Sequence, residues 1–290
     1  MPAPPVDLTA LAADVQWTDR AAGTRTAEAM TTALGRLVDL ADWLASVQGT
    51  SPPHEPKRVR LVQFGRTGSA AVAGLADDLD VGVRLVDELP STPLDALAAG
   101  LALADREVDA GADLLAVACP APVGVAAAAA VSVLAAAEPA RVLERGAAAT
   151  DPQAWMRRAS EVRDLRRRVI RYKDEPEQLL AELGDGTLAA AAGFVLQAVV
   201  RRTPVLLDGL GAHAAALIAY QAQPRAVRWM TAAGSATDPA QVLAMTTMGL
   251  RGVLDSAVAT GDGIAALIAL PALRAAARIA AENPASESSG

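Results

Sequence analysis

The sequence predicts an α/β fold: a mainly parallel sheet with helices on both faces, Rossmann-like in its large domain. Three observations lead there. Short apolar runs alternate along the chain with longer stretches whose apolar residues recur at helical spacing. The short runs are apolar at consecutive positions rather than at every second one, as strands buried on both faces require. Glycine-containing turns, such as those at Gly65, Gly68, Gly209 and Gly211, stand between strand and helix. The leading helix and the last two helices are expected to add a second, smaller helical layer. The expected division is an N-terminal helical segment 1–56, a large α/β domain 57–249, C-terminal helices 250–282 and a disordered tail 283–290.

The elements follow in order. A helix is expected over 26–48, with Leu34, Leu37, Leu40, Ala41, Leu44 and Val47 on one face and Gly49 as its stop. After the linker TSPPHEP, the runs RVRLVQF and VGVRLV read as buried strands around a short helix begun at GRTGSAAVAG. A helix over 92–111, a strand over 113–119 and an alanine-rich helix over 124–137 come next. Asp151 and Pro152 have the residue types of an N-cap and first helical position, opening a helix to about Tyr172. Gly186 precedes a helix to Arg201, TPVLLDG is a strand, and AHAAALIAY is the helix after it. A fifth strand is expected at 226–232. Short helices from Asp238 then lead to a terminal helix after Asp262.

Composition narrows the function classes. The chain has 290 residues, 52% apolar and 20% charged, so it can build one large core or two modest ones. Aromatics make up only 3%, leaving Ala, Leu and Val to pack the interior. A formal charge of −7 without a long basic face argues against nucleic acid as a partner. The single cysteine, Cys119, rules out an internal disulfide and fits a reducing cytoplasm. His54 and His213 are too far apart in sequence to suggest a metal site, and none is expected. The uncharged stretch 114–137 is long enough for a bilayer, but Pro120, Pro122 and Gly124 break it into strand, loop and helix. No membrane partner is expected, and MPAPPVDLTALAADVQ does not have the pattern of a signal peptide.

In parallel α/β sheets, ligands sit beyond the carboxyl ends of the strands. The turns after Phe64, Cys119, Asp208 and Ala232 are therefore the places to search. Gly209, Gly211 and Ala214 have the G-x-G-x-x-A spacing of a dinucleotide fingerprint, but no acid ends a strand at the expected distance. Close strand–helix packing is the plainer reading. Gly65, Gly68 and Ser69, with Arg66, could hold an anion or form a tight turn capped by Ser69 or Thr67. Seven arginines between Arg157 and Arg171 interleave with Glu161 and Asp164, as on a solvated helix face. His213 reads as a partly buried side chain with one hydrogen bond, and Cys119 as a core thiol without a base to activate it. Asp262, in GDG before the last helix, has the residue type of an N-cap; a catalytic carboxylate is the alternative.

RRTPVLLDGLGAHAAALIA and AAGSATDPAQVLAMTTMGLRGVLDSAVATGDGIAALIALPALRAAA resemble the nicotinate-nucleotide–dimethylbenzimidazole phosphoribosyltransferase family. ALGRLVDLADWLASVQG, ADREVDAGADLLAV and DPQAWMRRASEVRDLRRR agree with it in the same order. The resemblance implies a homodimer whose subunit has a large parallel-sheet domain and a small domain from both chain ends, 1–56 and 250–282. It implies transfer of phosphoribose from nicotinate mononucleotide to a benzimidazole-type base, giving α-ribazole phosphate for cobalamin, with no cofactor. A carboxylate takes the proton of the base, and here that position is Asp262, between Gly261 and Gly263. The family pattern has Glu there, so this acid is one methylene shorter.

The remaining ligand positions implied are Cys119, Gly124, Arg145, Gly146, Asp208 and Gly209. The family's phosphate loop after the third strand begins with an acid and is rich in Gly, Asn and Thr. This chain has ACPAPVGVAAAA there, with Cys119 near the acid's position and prolines removing N–H donors. Of a second glycine-rich segment, ERGAAATD keeps only Arg145 and Gly146. A histidine expected near GSATDPAQ is absent, and the segment between the first two strands is short. These departures fall in ligand loops while the packing segments keep the pattern. A divergent enzyme and a non-catalytic member binding a partner protein or related ligand are the two readings this supports.

Overall fold

The computed structural model describes residues 6–65, 68–120, 124–144 and 151–283. Its centre is a six-stranded, all-parallel sheet with the order β2-β1-β3-β4-β5-β6. The strands are β1 Val59–Phe64, β2 Gly82–Val86, β3 Leu114–Ala118, β4 Val205–Asp208, β5 Met230–Gly234 and β6 Gly252–Leu254. Strand side chains alternate between faces. Val62, Phe64, Leu115, Val117, Val205 and Leu207 enter one core, and Val59, Leu61, Leu114, Ala116, Ala118 and Leu206 the other.

The first core is covered by α1 Leu8–Ala13, α5 Pro93–Asp109, α6 Gly124–Leu134, α8 Pro176–Leu183, α9 Gly186–Val200, α10 Gly209–Ala222 and α11 Pro239–Met248. The outer helix α7 Pro152–Val169 leans on this layer through Val162 and Val169. The second core is covered by α3 Arg36–Gln48, α4 Ala70–Asp78 and α12 Ile264–Glu282, with α2 Arg20–Ala29 packed outside α3. Small residues permit the closest helix contacts. A Cβ on Gly100 of α5 would stand 2.0 Å from the Ala190 carbonyl oxygen, and one on Gly193 of α9 would stand 2.4 Å from that of Leu97.

Helix starts follow the expected capping chemistry. Ser69, Thr92, Asp151, Asp185 and Asp238 each accept a backbone N–H in the first turn, and Pro93, Pro152 and Pro239 follow three of them. The uncharged stretch 114–137 resolves into β3 and the buried α6, with residues 121–123 between them outside the description. By length and composition alone α12 could cross a bilayer, but half of its apolar window is buried against the rest of the chain.

Four expectations are corrected. The helix over 26–48 is two, because Gly35 takes φ +52° after a short 3-10 turn at Thr32–Leu34. The strand expected at 226–232 begins at Met230, and Pro224–Trp229 forms a 3-10 helix. VGVRLV is a sheet edge rather than a buried strand: Val83 is 38% and Leu85 48% exposed. The segment after 250 is not wholly helical, since Gly252–Leu254 joins the sheet as β6. Beside the exposed edge, the buried Glu107 carboxylate takes Arg60 at 2.9 Å and Arg84 at 3.1 Å, tying α5 to β1 and β2.

Candidate active site

The sheet order reverses direction between β1 and β3, so the crevice beyond their carboxyl ends is the topological switch point. The segment leading into α12 closes over that crevice. Gln63, at the end of β1 and fully buried, donates its Nε2 hydrogen to the Asp262 carbonyl. Gly261 presses on the turn between β4 and α10: a Cβ on Gly209 would lie 2.4 Å from the Gly261 Cα. Gly261 also faces the Cys119 carbonyl at the end of β3, 3.7 Å from where its own Cβ would be. Both glycines have positive φ, at +80° and +63°, so neither position suits another residue.

Cys119, Asp208, Gly209, Gly261, Asp262 and Gly263 are thus brought to one place. Arg145 and Gly146 lie outside the described residues, as do Arg66, Thr67 and Pro122. The Gly209–Gly261 contact also disposes of the dinucleotide reading, because the chain's own turn occupies the space a pyrophosphate would need. Ser69 is the cap of α4, with its Oγ accepting from Val72 N at 3.1 Å.

Asp262 is not the N-cap of the last helix. That position is Gly263, with φ +102° and no side-chain cap bond. The Asp262 Oδ1 atom accepts from Thr260 Oγ1 at 2.6 Å and from Ile264 N at 3.2 Å. Its Oδ2 accepts no hydrogen bond among the described residues, and the side chain is half-buried. One oxygen is anchored; the other is unengaged among the described residues.

The cap comes from 58 residues away. Asp208, only 1% exposed at the end of β4, accepts the Ala266 N–H on Oδ2 at 3.1 Å. This negative charge sits under the N-terminus of α12, where the helix dipole favours it. Its Oδ1 is buried without a partner among the described residues. Burial raises the Asp208 pKa from 3.8 to about 6, opposed by the backbone N–H groups of Ala266, Ala265 and Gly263 and assisted by the charge of Asp262.

His213, fully buried one turn into α10, contacts the Gly209 carbonyl through Nδ1 at 2.7 Å. A carbonyl can only accept, so Nδ1 carries the hydrogen and Nε2 is left buried without a partner among the described residues. Burial lowers the His213 pKa from 6.5 to about 4. The sequence reading of a partly buried histidine with one hydrogen bond understated this burial.

The two groups have opposite pH linkage. Asp208 holds its proton more tightly in the fold, so its stabilising contribution is complete below about pH 3.8 and lost as pH rises through about 6. His213 holds its proton less tightly, so its contribution is complete above about pH 6.5 and lost as pH falls through about 4. Each amounts to about 3 kcal/mol, and they offset one another over the shared window. Relative to the unmodified protein, Asp208→Asn should therefore gain stability as pH rises from 4 to 6.5, and His213→Leu should lose it. Urea unfolding across that window checks this; variants that keep the parent's pH profile would refute both assignments.

Cys119 is 2% exposed, and burial, with a contribution from the Asp185 charge, drives its thiol far above the usual range. It shapes the floor as a neutral group and is no nucleophile. Gly124 begins α6, and a Cβ there would meet the Arg158 Nη2 atom at 3.3 Å. Arg158 thus brings a guanidinium from α7 to the N-terminus of α6, and its Nε is buried without a partner among the described residues. Two sources of positive potential meet there, suited to an anion. Gln63 and Arg158 carried no distinguishing local motif. Among the described residues, no group of three or more His, Cys, Asp or Glu side chains could hold a metal ion.

The phosphoribosyltransferase family model matches residues 90–290, more than half of the chain. The chain belongs to the nicotinate-nucleotide–dimethylbenzimidazole phosphoribosyltransferase family. A relative of that name from Mycobacterium ulcerans is 38% identical, covering 84% of this chain and 83% of its own length. One from Streptomyces avermitilis is 36% identical over 87% of this chain and 82% of its own. The crystal structure of CobT from Thermus thermophilus superposes with a TM-score of 0.73 and 25% identity, covering 94% of this chain and 96% of that one. Within this phosphoribosyltransferase family fold, the Asp262 turn lies beside the carboxyl ends of β1, β3 and β4.

Proposed function

We propose that this chain transfers the phosphoribosyl group of nicotinate mononucleotide to a benzimidazole-type base, producing α-ribazole phosphate for the lower ligand of cobalamin. The observation that carries this is the Asp262 carboxylate, fixed through one oxygen over the switch point with its other oxygen unengaged. Family membership along most of the chain favours this reading over a non-catalytic binding role.

In this mechanism the unprotonated nitrogen of the base attacks C1′ of the ribose. The bond from C1′ to the nicotinate nitrogen breaks, and its electrons neutralise the pyridinium charge. Approach opposite the leaving group inverts C1′. Asp262 takes the proton from the other base nitrogen as positive charge builds there. Asp208, Gly209, Gly261 and Gly263 hold the Asp262 turn, Cys119 lines the floor, and Gly124 with Arg158 receives the phosphate from one side. Arg145 and Gly146 complete the anion site in this reading. No cofactor or metal takes part.

The reading includes a cytoplasmic homodimer, and a small domain made from 1–56 and 250–282, less the sheet strand β6, beside the large domain 57–249. The packing of α3 against α12 supports that pairing of chain ends. The test is incubation with nicotinate mononucleotide and dimethylbenzimidazole, with nicotinate and α-ribazole phosphate followed by chromatography and calorimetry run for each substrate. Equimolar products support the proposal. Absence of turnover together with absence of binding at millimolar concentrations overturns it.

A further inference from the structure

A recess of about 700 Å³ opens at the opposite end of the sheet from Asp262. It lies between the loop before α2, the side of α3, the end of α10, the 3-10 segment Pro224–Trp229 and the end of α11. The 14-residue α10 separates it from the Asp208 turn by about 21 Å at 1.5 Å per residue. It is therefore outside the candidate active site.

Its composition is unlike the rest of the chain. Of only four tryptophans and two tyrosines, Trp17, Trp43 and Tyr220 line this recess. Arg225 and Arg228 join them, and among the described residues no carboxylate does, although the chain carries a net charge of −7. Neither arginine forms an ion pair among the described residues.

The walls are held in place. Trp17 is 64% exposed, yet its ring lies under the Arg225 guanidinium at 5.0 Å. The preceding residue is pinned, since Trp229 donates its indole N–H to the Gln16 carbonyl at 2.8 Å. The Trp43 indole N–H donates to the Arg228 carbonyl at 3.2 Å, fixing that ring beside the arginine. The aromatic faces and the Arg225 guanidinium are thus arranged before any ligand arrives, which lowers the entropic cost of binding.

We propose that this recess is a second binding site for a planar aromatic anion of mononucleotide size. The ring stacks on Trp17 and against Trp43 and Tyr220, while the phosphate or carboxylate takes the Arg225 and Arg228 forks. Its volume falls within the range of small-molecule sites, about 300–1,000 Å³. The proposal is independent of the reaction assigned to Asp262.

The probe is adenosine 5′-monophosphate, with adenosine and inorganic phosphate as half-ligands. Binding to the full chain is read by calorimetry and by tryptophan fluorescence. The expected result is saturable binding that quenches fluorescence, with each half-ligand weaker by about tenfold or more. Arg225→Ala, Arg228→Ala and Trp17→Ala, each at a surface position and checked for an unchanged melting temperature, should weaken binding by about tenfold. Arg158→Ala, which removes the guanidinium assigned to the phosphate at the candidate active site, should leave it unchanged. Three results would overturn the proposal: no saturable binding up to about 10 mM, binding lost in Arg158→Ala but kept in the Arg225 and Arg228 variants, or a dimer that Trp17→Arg splits, which would assign this face to a second copy.

Discussion

Asp262→Asn is expected to lower the turnover of phosphoribosyl transfer by about 10²- to 10⁴-fold, the usual contribution of a positioned general base. The affinity for nicotinate mononucleotide should stay within about threefold, because the base meets a different substrate. Asparagine is the informative replacement. Its side-chain oxygen can still accept from Thr260 Oγ1 and Ile264 N, so the turn keeps its anchors. What disappears is the capacity to take a proton. Retention of more than about a tenth of the rate would show that solvent or another group accepts it. Asp262→Glu supplies the converse. If the shorter side chain holds the carboxylate back from the base nitrogen, the added methylene raises the rate, since misplacement by about 1 Å can cost about a hundredfold. A slower glutamate variant would show that the crevice has adjusted to aspartate.

The largest stability effect is expected where α5 meets α9. Gly100→Ala should destabilise by about 3 kcal/mol or more, because its Cβ would stand 2.0 Å from the Ala190 oxygen and 2.7 Å from the Ala190 carbonyl carbon. Those are backbone atoms inside a helix, so no rotamer change relieves the clash. The helices must part, and parting them opens the core they cover. A fall in melting temperature of about 6–12 °C is expected for a chain of this size. Gly74→Ala in α4 is the matched control, because its Cβ would meet nothing within 4 Å. That change should stabilise by about 0.5–1 kcal/mol through helix propensity. Calorimetric melting of both variants reads the pair, and shifts of the same sign would refute the packing argument.

The parallel sheet and most helices were legible because their signals are local: Asp151-Pro152 and Asp238-Pro239 have capping residue types wherever they occur. The misreadings share another cause. VGVRLV has the composition of a buried strand, but its place at the sheet edge depends on what fails to pair beside it. GVL at Gly252–Leu254 is too short to announce a strand and becomes one through Ala232 and Gly234. Asp262 has the chemistry of a cap and takes the Ile264 N–H, yet Gly263 holds the cap position and Asp208 takes the Ala266 N–H, through a contact no local window contains. The carboxyl-end turns could be nominated from the alternation of strands and helices. That Gln63 anchors the Asp262 carbonyl, or that Arg158 stands beside Gly124, emerges only from the folded arrangement.

The Asp262 turn also sets when the site can exist during synthesis. Gln63 and Asp262 are 199 residues apart, and the arms that clamp α12, Arg278 to Glu55, span 223. A ribosome-bound chain can assemble β1 to β4 while its carboxylate and the helix beneath it are still to be made. With Asp262 as the proposed base, a truncation within α12 is expected to abolish turnover while leaving much of the sheet's opposite face assembled, as an assay of nicotinate release beside circular dichroism would read.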